Sequence, residues 1–463
     1  MATEFFSSSE FSLELVFYFS ISLFFVIALF VGNYNENETK ELTKNNFFSI
    51  LKRFFGCGLR AGLFYTLTPF GALKGMVGVF SYSVAIIVPN LILIIMAPTI
   101  RNKFPNGFSL NDFIAERYGN FPQFITNSIR LFYISIYLIT ELSALGYILS
   151  FYGINALPAQ TIVIVYTTIY TILGRNTSSY TDKFQGIAVL MLLFVAAGSL
   201  FFRNTVKTDS DPIEIAPLDH IQSLFTLVLA VIGATVQHEH YENVIFFIVY
   251  SKAMQLNLIN LELDPFAQGA LFAVIRGLPT WINFVIFVLV AAFISSSIDS
   301  QQTSLTNLLT EEVPGVGRMN YALAKLITCV INLFALYFAS TQQNVIAILQ
   351  WFLIADLITC FITFPVLIGF LPYWEKKING FDFTIAVLSG FLCVWAFGVS
   401  EYGNLKNALL IFTIPDGLLK PYTAASVYFI AVTSSFLTLI ISSVTRRTML
   451  RSLGYLEIAK KRD

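Results

Sequence analysis

Apolar runs of about 20 residues recur along the chain between short polar connectors, and that is the length an α-helix needs to cross a bilayer. By this rule spanning helices are predicted near 12–32, 60–78, 79–98, 124–152, 157–174, 185–202, 221–236, 283–309, 320–340, 345–371, 382–399 and 422–445. A further candidate, near 243–275, is interrupted by a polar stretch from Gln255 to Asp264. The predicted fold class is an all-α polytopic membrane protein with about 12–13 transmembrane helices.

The connectors set the orientation. Lys40, Lys44, Lys52, Arg53 and Arg60 lie in the first, Arg101, Lys103 and Arg117 in the third, and Arg175 and Lys183 in the fifth. The tail adds Arg446, Arg447, Arg451, Lys460, Lys461 and Arg462. If the spans alternate and an odd number of helices lies between 203 and 310, all of these share one side, and positive charge marks the cytoplasmic side. The connector 203–220 falls opposite and is acidic, with Asp209, Asp211, Glu214 and Asp219. The N-terminus is therefore expected outside and the C-terminus in the cytoplasm, in the plasma membrane or an internal one. The sequons at Asn37 and Asn176 fall inside and are expected to carry no glycan. No basic leader precedes the first apolar run, which reads as an uncleaved anchor.

Composition sharpens this picture. Of 463 residues 56% are apolar and only 12% charged, about half the charge of an ordinary soluble chain. Lipid must cover the excess apolar surface. The net charge is zero, with 28 basic and 28 acidic residues, which argues against a nucleic-acid partner, since that requires a basic face. Cys57, Cys329, Cys360 and Cys393 show neither metal spacing nor a disulfide framework. His238, His240 and Glu242 are read as a chance polar cluster, not a metal site. No enzyme motif and no cofactor are expected. No phosphate-binding loop occurs and no connector has room for a nucleotide-binding domain, so any energy input is expected from an ion gradient.

Two segments carry candidate chemistry. Tyr65-Thr66-Leu67-Thr68-Pro69-Phe70-Gly71 places hydroxyls, a proline and a glycine inside an apolar run. It reads either as a simple kink or as an unwound segment lining an ion or substrate site. The span 283–309 contains Ala292, Ser295 and Ser296 on one helix face, followed by Ser297, Asp299, Gln301 and Gln302. A carbonyl and two hydroxyls suit a hard cation. Packing through small residues accounts for the serines but not for Asp299, Gln301 and Gln302.

This second segment resembles the sodium-binding helix of the sodium:solute symporter family. Gly75-Met76-Val77-Gly78, the run from Phe108 to Gly119, Glu141 to Gly146, Thr167 to Thr171 and Thr181-Asp182-Lys183-Phe184-Gln185 resemble family motifs in the same order. The match is strongest to a fungal branch loosely allied to urea and polyamine permeases. The resemblance implies an inverted-repeat core of the leucine-transporter type, with one leading span and extra trailing ones. It places cation-binding carbonyls at Tyr65, Thr68 and Ala292, hydroxyl ligands at Ser295 and Ser296, and an ion-exit carboxylate at Asp182. It departs from the pattern at Gly174-Arg175 and over 203–282. The domain reading is an anchor and linker at 1–56, a transporter core at 57–371 with 203–282 atypical, and trailing helices with a basic tail at 372–463. Glu141, Ser143, Gln350 and Asp356, polar groups within spans, are the substrate-cavity candidates. The expected function is Na⁺- or H⁺-coupled symport of a small polar solute, with urea and polyamine-like solutes as the candidates, across a lipid bilayer. The alternative is a degenerate, transport-deficient homologue acting as a sensor or regulator.

Overall fold

The computed structural model describes residues 110–173, 280–310, 312–313, 317–318, 320–341, 348–374, 377–415 and 421–452, with scattered positions at 15–26, 92–102 and 191. Helices dominate: α1 (Leu110–Tyr118), α2 (Asn120–Phe151), α3 (Ala156–Leu173), α4 (Thr280–Thr310), α5 (Tyr321–Thr341), α6 (Ile348–Phe370), α7 (Gly380–Tyr402) and α8 (Pro421–Ser452). A two-residue antiparallel pairing, Glu312 with Arg318 and Val313 with Gly317, links α4 to α5. Six of the helices are long and apolar enough to cross a membrane, and α3 is a shorter apolar helix.

All seven spans predicted between 124 and 174 and between 283 and 445 are helices, with ends displaced by a few residues. The spans predicted near 12–32, 60–78, 79–98, 185–202, 221–236 and 243–275 lie wholly or largely outside the described residues. So do both sequons and the cluster at 238–242.

Burial sorts the helices into a centre and a periphery. α2, α4 and α6 are apolar on nearly all sides and mostly buried, the signature of a central helix. α5 shows the opposite. Leu326, Leu333, Phe334 and Tyr337 are each at least 60% exposed, which no aqueous surface favours and a hydrocarbon phase does. α7 and α8 pack against each other, and both pack against α6.

Local chemistry fixes the joints. Gly119, at φ 91°, turns the chain from α1 into α2, a left-handed conformation that a side chain disfavours. Asn379 and Asp382 form a reciprocal capping box at the start of α7, with bonds of 3.0 and 3.1 Å. The buried Asp382 carboxylate also takes a two-pronged bond from Arg446 and a 2.6 Å bond from Ser442, both on α8. Arg446 donates further to the Lys377 carbonyl at 2.8 Å. One buried anion thus ties the start of α7 to the end of α8. On the same side, Tyr118 donates to the Pro365 carbonyl of α6 at 2.7 Å, and Arg117 donates to the Trp374 carbonyl at 3.0 Å. Burial raises the Tyr118 phenol well above its ordinary pKa, with nearby Arg117 opposing the shift.

Candidate functional site

The hydroxyl-rich segment of α4 is buried to the core. Ala292, Ser295, Ser296, Ser297, Asp299, Gln301 and Gln302 are each no more than 2% exposed. Ser295 donates its proton to the Ala291 carbonyl, 2.5 Å away and one turn back. The proton is thereby used within the helix, and the hydroxyl oxygen can still act as an acceptor. The Ser297 and Ser300 hydroxyls, also buried, have no hydrogen-bond partner among the described residues. Tyr166 of α3 sits beside Ser295 and within electrostatic range of Asp299. Tyr65 and Thr68, the expected ligands from the broken span, and Asp182 lie outside the described residues. Of the expected cation ligands, the described residues thus include Ala292, Ser295 and Ser296.

Below this segment α4 continues as a polar seam. Gln302 donates to Thr167 Oγ1 at 3.0 Å and accepts from Thr171 at 3.2 Å, joining α4 to α3. Thr306 meets Thr328 of α5 at 2.9 Å, and Asn332 donates to Thr168 at 2.8 Å. Ser295, Asp299, Gln302 and Thr306 recur at steps of four, three and four, so they share one face. Interhelical hydrogen bonding thus accounts for Gln302, which packing of small residues did not. The threonines were visible in sequence only as a motif, because a threonine in a helix can equally bond its own backbone, as Thr167 also does at 2.8 Å to Val163.

The four substrate-cavity candidates are all buried but are not brought to one point. Glu141 and Ser143 of α2 are two residues apart, hence about 200° apart around the helix. Gln350 and Asp356 of α6 are six residues apart, which again puts them on different faces. The Gln350 amide donates to the carbonyls of Ile414 and Pro415, at 3.1 and 2.5 Å, and so holds the turn between α7 and α8. Asp356 faces α2, where it accepts a hydrogen bond from Tyr137, one turn before Glu141. Tyr133 and Tyr137 pack with ring centres 4.4 Å apart, and Phe352 stands edge-on to Tyr137 at 5.1 Å. From α8, Tyr428 donates to the Leu353 carbonyl at 2.5 Å and lies within electrostatic range of Asp356. The aromatic partners were missed in sequence because 47 phenylalanines and 21 tyrosines give no contrast. The usable signal was the four-residue step from Tyr137 to Glu141.

These features first define a class: a multi-pass membrane protein of all-α, inverted-repeat architecture. Its fold matches a Na⁺-coupled sialic acid symporter solved in a substrate-bound, outward-open state, with a TM-score of 0.62 over 94% of this chain and 98% of that one, at 13% identity. That symporter is reported to contain a novel Na⁺ site. The family resemblance is to the sodium:solute symporters, whose model matches residues 52–207. The spermidine transporter DUR31 of Candida albicans is 25% identical over 400 residues, covering 79% of this chain and 75% of that protein. This agrees with a fungal branch related to polyamine permeases. The matched proteins are transporters, not enzymes.

Proposed function

We propose that the chain is a sodium-coupled symporter that carries a small polyamine-like solute by alternating access. The observation that carries this reading is the α4 segment, where hydroxyl and carboxylate oxygens are sealed from solvent at Ser295, Ser296, Ser297 and Asp299. Such groups are costly inside a bilayer unless they serve a guest. Ala292, Ser295 and Ser296 supply the α4 share of the cation ligands, Tyr65 and Thr68 supply the rest, and Asp182 stands near the cytoplasmic exit. Sodium is the coupling ion of this reading, not a proton. A hydroxyl oxygen whose proton is already donated, as at Ser295, suits a hard metal cation, and the family and the fold neighbour support the same ion. The solute reading rests on the spermidine-transporting relative, and urea becomes the neutral comparator. Sodium in the site favours the outward-open state and so raises solute affinity there. Coupling equals the difference in sodium affinity between the two states.

The test is uptake of labelled spermidine and urea into proteoliposomes under a sodium gradient. The double variant S295A/S296A is expected to lose sodium dependence, with half-saturation by sodium raised at least tenfold. Unchanged sodium dependence in that variant would refute the assigned cation site.

A further inference from the structure

Asp356 is 7% exposed, in a helix surrounded by apolar neighbours. A carboxylate so placed is expensive unless something compensates its charge. Among the described residues no lysine, arginine or histidine forms an ion pair with it, and its Oδ1 has no hydrogen-bond partner. Tyr137 supplies a single hydroxyl, while a carboxylate has about four lone-pair sites.

The surroundings select among possible compensating groups. The Tyr428 proton is committed to the Leu353 carbonyl, so its oxygen can only accept a bond from whatever lies beside it. Leu353 and Asp356 are three residues apart, on one face of α6. Phe352, four residues before Asp356, stands edge-on to the Tyr137 ring. A site with an open carboxylate oxygen, an acceptor-only phenol and aromatic walls fits an N–H donor that carries positive charge. Aromatic faces attract organic ammonium groups, whereas a bare sodium ion gains more from carbonyl and hydroxyl oxygens alone. Measured along α6, Asp356 lies about 21 Å from the helix end at Phe370, well within a hydrocarbon core about 30 Å thick.

We propose that Asp356, framed by Tyr137, Phe352 and Tyr428, binds a protonated amine of the transported solute. The proposal rests on the symport reading above and names the group that recognises the cargo. The occupant is thus an organic ammonium group of the cargo.

The experiment measures thermal stabilisation of the purified full-length chain in detergent with saturating sodium, titrated with spermidine, butylamine and urea. The wild type is expected to respond to both amines and not to urea. D356N is expected to need at least tenfold more amine for half-maximal response while keeping its sodium response. D356E is expected to recover part of the affinity. Y137F, which removes only the hydroxyl bonded to Asp356, is expected to weaken amine binding several-fold and serves if D356N folds poorly. An unchanged amine response in D356N and Y137F overturns the proposal. So does a wild type indifferent to amines, or a D356N that loses sodium binding and keeps amine binding. Sodium-driven uptake is scored separately. Amine binding without sodium-driven uptake leaves the amine site standing and sinks symport. Sodium-driven uptake of urea alone leaves symport standing and sinks the amine site.

Discussion

At the scale of single residues, the structure turns on a few polar groups whose partners decide their role. Asp382 and Asp356 are both buried aspartates in apolar helices, yet only the first has a full set of partners. Asp382 receives its own cap, Ser442 and the fork of Arg446, whose side chain is 25% exposed. Deleting such an anion leaves its arginine uncompensated and typically costs about 3–5 kcal/mol. D382A is therefore expected to lower the melting temperature by several degrees in a detergent thermal-shift measurement. R446K should lose less, because a lysine keeps the charge but not the two-pronged geometry. The sequence could not rank the two aspartates. Both sit in predicted spans, and the arginine that separates them lies 64 residues away. Ala292, Ser295 and Ser296 were singled out in sequence because their spacing puts them on one helix face, and all three are buried in α4. Tyr137 was not, since the carboxylate it bonds belongs to another helix.

At the scale of elements, helix existence was written plainly in the sequence and helix contacts were not. Seven apolar runs became helices because length and hydropathy suffice to decide what can cross a bilayer. Which faces meet depends on shape. Gly390 of α7 shows this. A methyl group added there would fall 2.6 Å from the ring of Phe361 on α6, which is itself packed on Phe391 at 4.0 Å. The ring is fully buried and has no room to yield. G390A is expected to cost about 1–3 kcal/mol through overpacking. Thermal stability should fall while sodium half-saturation in uptake stays near the wild-type value. A stabilised G390A would mean that α6 and α7 are less tightly joined than the ring positions imply. The α3–α4–α5 seam makes the complementary point. Gln302 read in sequence as an unexplained polar group, and its explanation, Thr167 and Thr171, lies on another helix.

At the scale of the whole molecule, the basic connectors and the helix ends tell one story. α3 ends at Leu173, just before Arg175, and the Ile172 carbonyl in its last turn receives the Lys325 ammonium of α5 at 2.5 Å. A lysine on open carbonyls at a helix C-terminus is favourable, and it adds to the positive charge on that side. The basic C-terminal turn of α8, with Arg451, belongs to the same side in the orientation we propose. Expressed with microsomes, the chain is expected to show no glycosidase-sensitive mass at Asn176. A C-terminal tag should be open to protease from the cytoplasmic face. Glycan on Asn176 would invert the orientation and with it the direction of transport. The transporter architecture was readable from motif order. The contacts that α4 makes with α3 and α5 were not, because they depend on how the helices cross.

The Gln350 bond to the turn between α7 and α8 has a mechanical consequence. Ile414 holds a left-handed φ of 45°, rare for a branched side chain, and the Gln350 amide grips its carbonyl and that of Pro415. α6 is therefore leashed at its first turn to two helices that lie beyond it. If α6 rocks as cargo crosses, the leash must pay out or drag the turn along. A clamp on that turn would stall the carrier with both guests still aboard.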